Sequence, residues 1–214
     1  MLLDALDLGD ADTVLDLGCG WAELLTRAVQ RTAQTVGIGV DNDPGAMQRA
    51  RVSVRQRALV ERVTLVEQPA GAWAESADRV LCVGSGHIWG ATEEALQALS
   101  GVVLPGGRLL YGDGYLHPAP SPFTTQLFKE MLPLSGVLDA VRGAGWRVLH
   151  LSVSDQLEWD EFESTFRAGP EQWLLANPHV STADQIRAWL DRRLHEYVDG
   201  YRGEVGFCWL VLTR

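Results

Sequence analysis

Four residues near the start of the chain could do chemistry together. Asp16 closes a short apolar run, Gly18 and Gly20 follow it at alternate positions, and Asp41 closes a second apolar run. Glycines so placed let the backbone bend sharply and come close to a ligand. A bend that opens into a helix leaves unpaired N–H groups at a positive dipole end, which suits an anionic group. Asp16 adds the opposite preference, for a cationic or hydroxyl-bearing group. A carboxylate at the end of a second strand, about 20 residues past the bend, can accept two hydrogen bonds from a vicinal diol and therefore suits a ribose.

The elements that must hold these residues follow from the pattern. Residues 14–17 form an apolar run with β-branched character and read as a buried parallel strand. From Ala22 onward Leu24, Leu25, Ala28 and Val29 recur at helical spacing. A second strand spans 35–40, after which Asp43 is placed to cap a helix that has Pro44 at its first position and runs to about Leu59. Further strands are expected at 63–66, 78–83, 108–111 and 146–153, a short capped helix at 92–100, and a helical run over 123–142. The last strand, 205–212, is apolar throughout, which fits a place between two neighbours. Strands alternating with helices imply a doubly wound parallel sheet.

Two more segments carry candidate chemistry. Gly84-Ser-Gly-His-Ile-Trp-Gly90 follows the fourth strand, which in such a sheet ends beside the first, at the ligand crevice. Gly84 there implies close backbone approach, His87 is a candidate proton acceptor, and Trp89 a candidate pocket wall. Asp113, Tyr115 and His117 follow the fifth strand and fall on the same side.

The glycine bend is not a dinucleotide fingerprint, because Glu23 occupies the third small position of G-x-G-x-x-G/A. The pattern present is D-x-G-x-G-x-A, at Asp16, Gly18, Gly20 and Ala22, and it resembles the first motif of class I S-adenosylmethionine-dependent methyltransferases. Leu104-Pro-Gly-Gly107 likewise resembles the turn before the fifth strand of that family. The likeness covers roughly residues 10–153 and the last strand. It implies a Rossmann-like α/β fold with a doubly wound seven-stranded sheet, one domain over 1–214, and a helical insertion at 154–204. It implies S-adenosyl-L-methionine as cofactor, held by Asp16, Gly18, Gly20, Asp41, Asn42, Ala70 and Gly84. The acid-Ala pair that usually follows the third strand is altered here, with Pro69 in the acid's place. GSGHIWG and GDGYL look more narrowly like a bacterial group of small-molecule methyltransferases. On that likeness His87 and Asp113 are the catalytic candidates. Their places at the strand ends make His87, Trp89 and Tyr115 candidates to line the acceptor site, with Trp159 of the 154–204 insertion near its mouth. A nicotinamide oxidoreductase on the same fold and a non-catalytic cofactor-binding domain remain as alternatives; Glu23 and Asp16 count against the first.

Composition narrows the partners. The formal net charge is -10 and Lys129 is the only lysine, so phosphate neutralisation is absent and a nucleic acid is not expected as substrate. A small-molecule acceptor, neutral or cationic, is expected instead. Cys19, Cys82 and Cys208 are widely spaced, lie in or beside apolar runs and read as free thiols of a reducing cytoplasm, with no metal-ligand spacing. No window approaches a membrane span or a secretion signal, so a cytoplasmic, soluble protein is expected; oligomeric state is not legible. The stretch 154–204 is long for a connection between strands and rich in aromatic residues, Trp159 among them. Since the N-terminal residues leave room for little more than a turn of helix, this insertion is expected to serve as the lid.

Overall fold

The structure, a computed structural model, describes residues 2–214. Seven strands form one sheet: β1 (Thr13–Leu17), β2 (Val36–Asp41), β3 (Val63–Glu67), β4 (Ala77–Val83), β5 (Val103–Leu116), β6 (Arg147–Val153) and β7 (Val205–Thr213). Their order is β3-β2-β1-β4-β5-β7-β6. The first five are parallel neighbours, with Asp16 opposite Gly39 on one side and Leu81 on the other. Strand order therefore reverses between β1 and β4, and their carboxyl ends flank the place where such sheets bind ligands. The apolar β7 lies between β5 and β6, as its composition requires.

The chain forms two compact units. Of the described residues, the first comprises 2–113, 135–152 and 208–214. Its helices are α1 (Leu2–Leu6), α2 (Glu23–Val29), α3 (Pro44–Gln56), α4 (Thr92–Ser100) and all but the first residue of α6 (Leu134–Gly143). Its core joins Val14 and Leu81 of the sheet to Leu25 and Val29 of α2 and Val54 of α3, all buried. Short α1 is tied to the N-terminal ends of the strands: Arg79 donates to the carbonyls of Leu6 and Asp7, and Arg108 to that of Ala5. That edge is opposite to the one bearing the glycine bend, so α1 does not cover the bend.

The second unit comprises residues 114–134 and 153–207. It holds α5 (Pro122–Leu127), α7 (Gln156–Ala176) and α8 (Ala183–His195), the last running into one wide turn, Glu196–Tyr201. Asp155 caps α7 reciprocally with Glu158, the arrangement that fixes its start. The expected helix over 123–142 is instead two helices, α5 and α6, separated at 128–133. Pro133 disfavours helix at the residue before it, and an isolated parallel bridge pairs Leu116 with Pro133. Strand β5 is also longer than the expected 108–111; Asp113 and Tyr115 lie within it and not in a following loop. Among the described residues no helix is long and apolar enough to cross a membrane.

Candidate functional site

The bend after β1 is built by three consecutive departures from ordinary backbone. Gly18, Gly20 and Ala22 all have positive φ, at 77°, 53° and 61°. Gly18 and Cys19 donate their N–H groups to the carbonyl of Val40, so the bend grips the end of β2. Ala22, fully buried, precedes α2 in a left-handed conformation with no side-chain cap; a small residue is needed there because a larger one would carry the same strain inside the core.

The two glycines do different work. A Cβ on Gly18 would lie 2.4 Å from Cβ of Ser85, whose buried hydroxyl donates to the Leu17 carbonyl at 2.7 Å. Gly18 therefore lets the loop after β4 close onto the bend. A Cβ on Gly20 would meet nothing within 4 Å, and the same holds for Gly84. Those two backbone positions face open space, as a ligand cradle should.

Asp41 ends β2 and turns back to the bend. Its Oδ2 accepts the Gly20 N–H at 2.8 Å and its Oδ1 the Asp43 N–H at 2.9 Å. A carboxylate has about four acceptor sites, so half its capacity stays available. Neighbouring Asn42 is exposed. Asp16 is only 4% exposed, and burial first, then the Asp41 charge, push its carboxyl up to about 7, against a lowering by the Leu25 backbone. Burial likewise pushes the Cys82 thiol up to about 12, and the sulfur sits 3.3 Å from the Ser85 hydroxyl. All three cysteines are buried and free, inert thiols in this environment. Glu23, which breaks the dinucleotide pattern, is occupied by Arg27 and Arg57, each at 2.6 Å.

Two loops complete the surroundings. Pro69 precedes a single turn at Ala70–Ala72, with Ala70 buried, and Trp73 after it donates its indole N–H to the Glu75 carbonyl. The turn Gly86–Trp89 places His87 in the open. Ile88, which the motif reading passed over, is the link between loops: its side chain lies 3.7 Å from a Cβ built on Gly18 and 3.2 Å from one on Gly71, where Trp89 also sits. An exposed branched apolar residue between glycine turns is the signal that could have found it. Asp113 accepts from the buried Tyr111 hydroxyl at 2.6 Å, and the Gly86 backbone packs against that carboxylate, since a Cβ there would be 3.2 Å from it. The first unit thus brings together Asp16, Gly18, Gly20 and Asp41 around one bend, and Gly84, His87 and Trp89 with Asp113 beside the end of β4.

The remaining two candidates lie in the second unit. Tyr115 is 4% exposed, its ring filling the space a Gly206 side chain would need and tilted against His117. Trp159 donates its indole N–H to the Val205 carbonyl and stacks on Phe162. Tyr201 has a structural partner, donating to buried Glu163, which also takes Arg193.

A sheet of this order with a glycine bend and two carboxylates at its reversal point is the architecture of α/β proteins that bind a ligand at the strand ends, and comparison with known proteins narrows the class. Residues 14–107 match the family described as "Methyltransferase domain". The crystal structure of a S-adenosylmethionine-dependent methyltransferase from Geobacter sulfurreducens, in complex with S-adenosyl-L-homocysteine, superposes with a TM-score of 0.90 at 26% identity, covering 99% of this chain and 88% of that one. The Escherichia coli protein YjhP, itself uncharacterised, is 28% identical over 195 residues, 86% of this chain and 77% of its own. A ribosomal protein L11 methyltransferase of Xylella fastidiosa is 38% identical over 103 residues, 48% of this chain and 31% of that protein. The chain is a class I S-adenosylmethionine-dependent methyltransferase.

Two outcomes follow from the bend. Gly18→Ala should lower stability by about 2–4 kcal/mol, from overpacking against Ser85 added to the positive φ, while Gly20→Ala should cost only about 1 kcal/mol; urea unfolding of both measures the difference. Asp16→Asn removes a carboxyl whose folded pKa is raised. The wild type loses stability as pH rises from about 4 to about 7, by up to about 4 kcal/mol in the ligand-free protein. The variant's advantage should therefore widen over that window and level off above it, as urea midpoints at successive pH values will show.

Proposed function

We propose that this protein transfers the methyl group of S-adenosylmethionine to a small-molecule acceptor, with Asp16, Gly18, Gly20, Asp41, Asn42, Ala70 and Gly84 holding the cofactor. The observation that carries the reading is the pair of carboxylates, one buried and one half-satisfied, on either side of a glycine that opens onto empty space. The cofactor fits that set. Its ammonium would offset the cost of ionising buried Asp16, and its ribose diol suits the unused lone pairs of Asp41. Ala70, buried at the start of its turn, offers a backbone N–H for the adenine ring. When bound, the cofactor supplies a sulfonium methyl that is already activated toward a nucleophile.

What the chain must add is alignment and exclusion of water. Holding acceptor atom, methyl carbon and sulfur in line is worth up to ~7–11 kcal/mol, more than a general base usually supplies. Exposed His87 beside the bend is the group we assign to receiving the acceptor's proton. Asp113, fixed by the Tyr111 hydroxyl, orients the acceptor. Residues 154–204 are assigned to the acceptor side, with Trp159 in the wall. Support for a small acceptor is the acidic surface without a basic cluster. Kinship over half the chain with an enzyme named for a ribosomal protein makes a protein acceptor the competing reading.

Two experiments test these assignments. Calorimetric titration with S-adenosylhomocysteine should show affinity rising as pH goes from 6 to 8, with proton release, because binding an ammonium beside Asp16 requires the ionised form; Asp16→Asn should abolish the pH dependence, and Asp41→Ala should weaken binding roughly 10–100-fold for lost charge-assisted hydrogen bonds. No saturation at any pH removes the cofactor site from the bend. His87→Gln should leave that affinity intact and slow methyl incorporation from labelled donor into an acceptor by about 10²–10⁴-fold; unchanged turnover across pH removes His87 as the base.

A further inference from the structure

Within the second unit a cavity of about 300 Å³ is walled by aromatic rings and a carboxylate. Phe128 and Tyr201 meet edge to face at 5.2 Å, and Trp159 stacks on Phe162 at 5.4 Å. Met131 and Glu196 belong to the same lining. Of the other polar groups of the lining, the Trp159 and Tyr201 donors and the Glu163 carboxylate have partners, while the buried Nε of Arg193 has none among the described residues. Trp159 donates to Val205, and Tyr201 and Arg193 both serve Glu163, so that ion pair is neutral as a unit. With Glu163 and Arg193 paired, Glu196 leaves the lining with one net negative charge, and aromatic rings in the same lining also favour a cation. Gly114, in the same lining, follows Asp113 in the chain.

We propose that this cavity takes the methyl acceptor and that the acceptor is a small amine, an inference that rests on the methyltransferase reading above. The volume is at the lower end for small-molecule sites and suits a compact apolar body rather than a polymer. The chemistry fits an amine through the direction of charge movement. As the nitrogen lone pair forms the new C–N bond, the C–S bond breaks and its electron pair goes to sulfur, which ends neutral. The positive charge thus passes from sulfur to nitrogen, and rings with Glu196 stabilise it where it arrives, more in the transition state than in the neutral amine. A secondary amine then gives up its proton to a base; a tertiary amine becomes a quaternary ammonium and has none to give.

The test is calorimetry on the full chain with three probes sharing one body: benzyltrimethylammonium, benzyl alcohol and phenylacetate. The cation should bind at least tenfold more tightly than the other two. Glu196→Gln and Phe162→Leu should each weaken it about fivefold or more, and neither should change the affinity for S-adenosylhomocysteine. Equal or tighter binding of the alcohol or the anion overturns the amine, and cation binding untouched by both substitutions overturns the cavity. Because the homocysteine titration is run in parallel, failure of the amine inference with that binding intact is distinguishable from failure of the methyltransferase site itself.

Discussion

The carboxylate of Asp41 fixes the shape of the ligand-facing edge. By accepting the N–H groups of Gly20 and Asp43 it ties the bend after β1 to the start of α3, two segments that no backbone hydrogen bond of the sheet would hold together. The Val40 carbonyl, one residue earlier, takes Gly18 and Cys19. The end of β2 is thereby the fixed post against which the glycine turn is wound. A charge-assisted bond of this kind is stronger than a neutral one, and it keeps the bend open without a ligand.

The same edge holds a destabilising element. Asp16 is buried beside a second carboxylate, and its raised pKa records the cost of ionising it there. A structural role alone would be served by Asn or Ser. Burial of an acid near another acid is the kind of arrangement that a bound cation relieves, and stability surrendered at a ligand site is common where binding must be strong. Ser85 shows the complementary case. Its hydroxyl is satisfied by Leu17, and the price is that position 18 admits no side chain.

The second unit is organised differently, around paired side chains instead of strand ends. Asp160 takes Arg202, Gln156 and Tyr197, and its carboxyl is held well below the usual range, with the Arg202 bond as the main cause. Glu163, 5% exposed, is satisfied by Arg193 and Tyr201, and burial pushes that phenol up. Glu163 with Arg193 joins α7 to α8, Asp160 joins α7 to the segment that follows α8, and Trp159, Phe162 and Glu196 line the cavity. Specific polar pairing of this sort secures one arrangement of helices more than it adds stability.

Local sequence determined the strand–glycine–helix unit, the ends of β1 and β2 with their two acids, the capped start of α3, and the central place of β7. Each depends on neighbours a few residues apart: apolar runs, N-caps, and glycines that permit positive φ. The order of motifs then sufficed for the fold and for the class of enzyme. Tertiary structure alone decided which glycine serves packing and which faces open space, because Ser85 is 67 residues from Gly18 and nothing local marks their approach. It also decided that Trp73 and Trp159 spend their indole N–H groups on nearby carbonyls, that Ile88 joins two loops, that Pro133 divides an expected helix, and that four rings and Glu196 share one cavity. Those are contacts between segments far apart in the chain, and residue spacing carries no record of them.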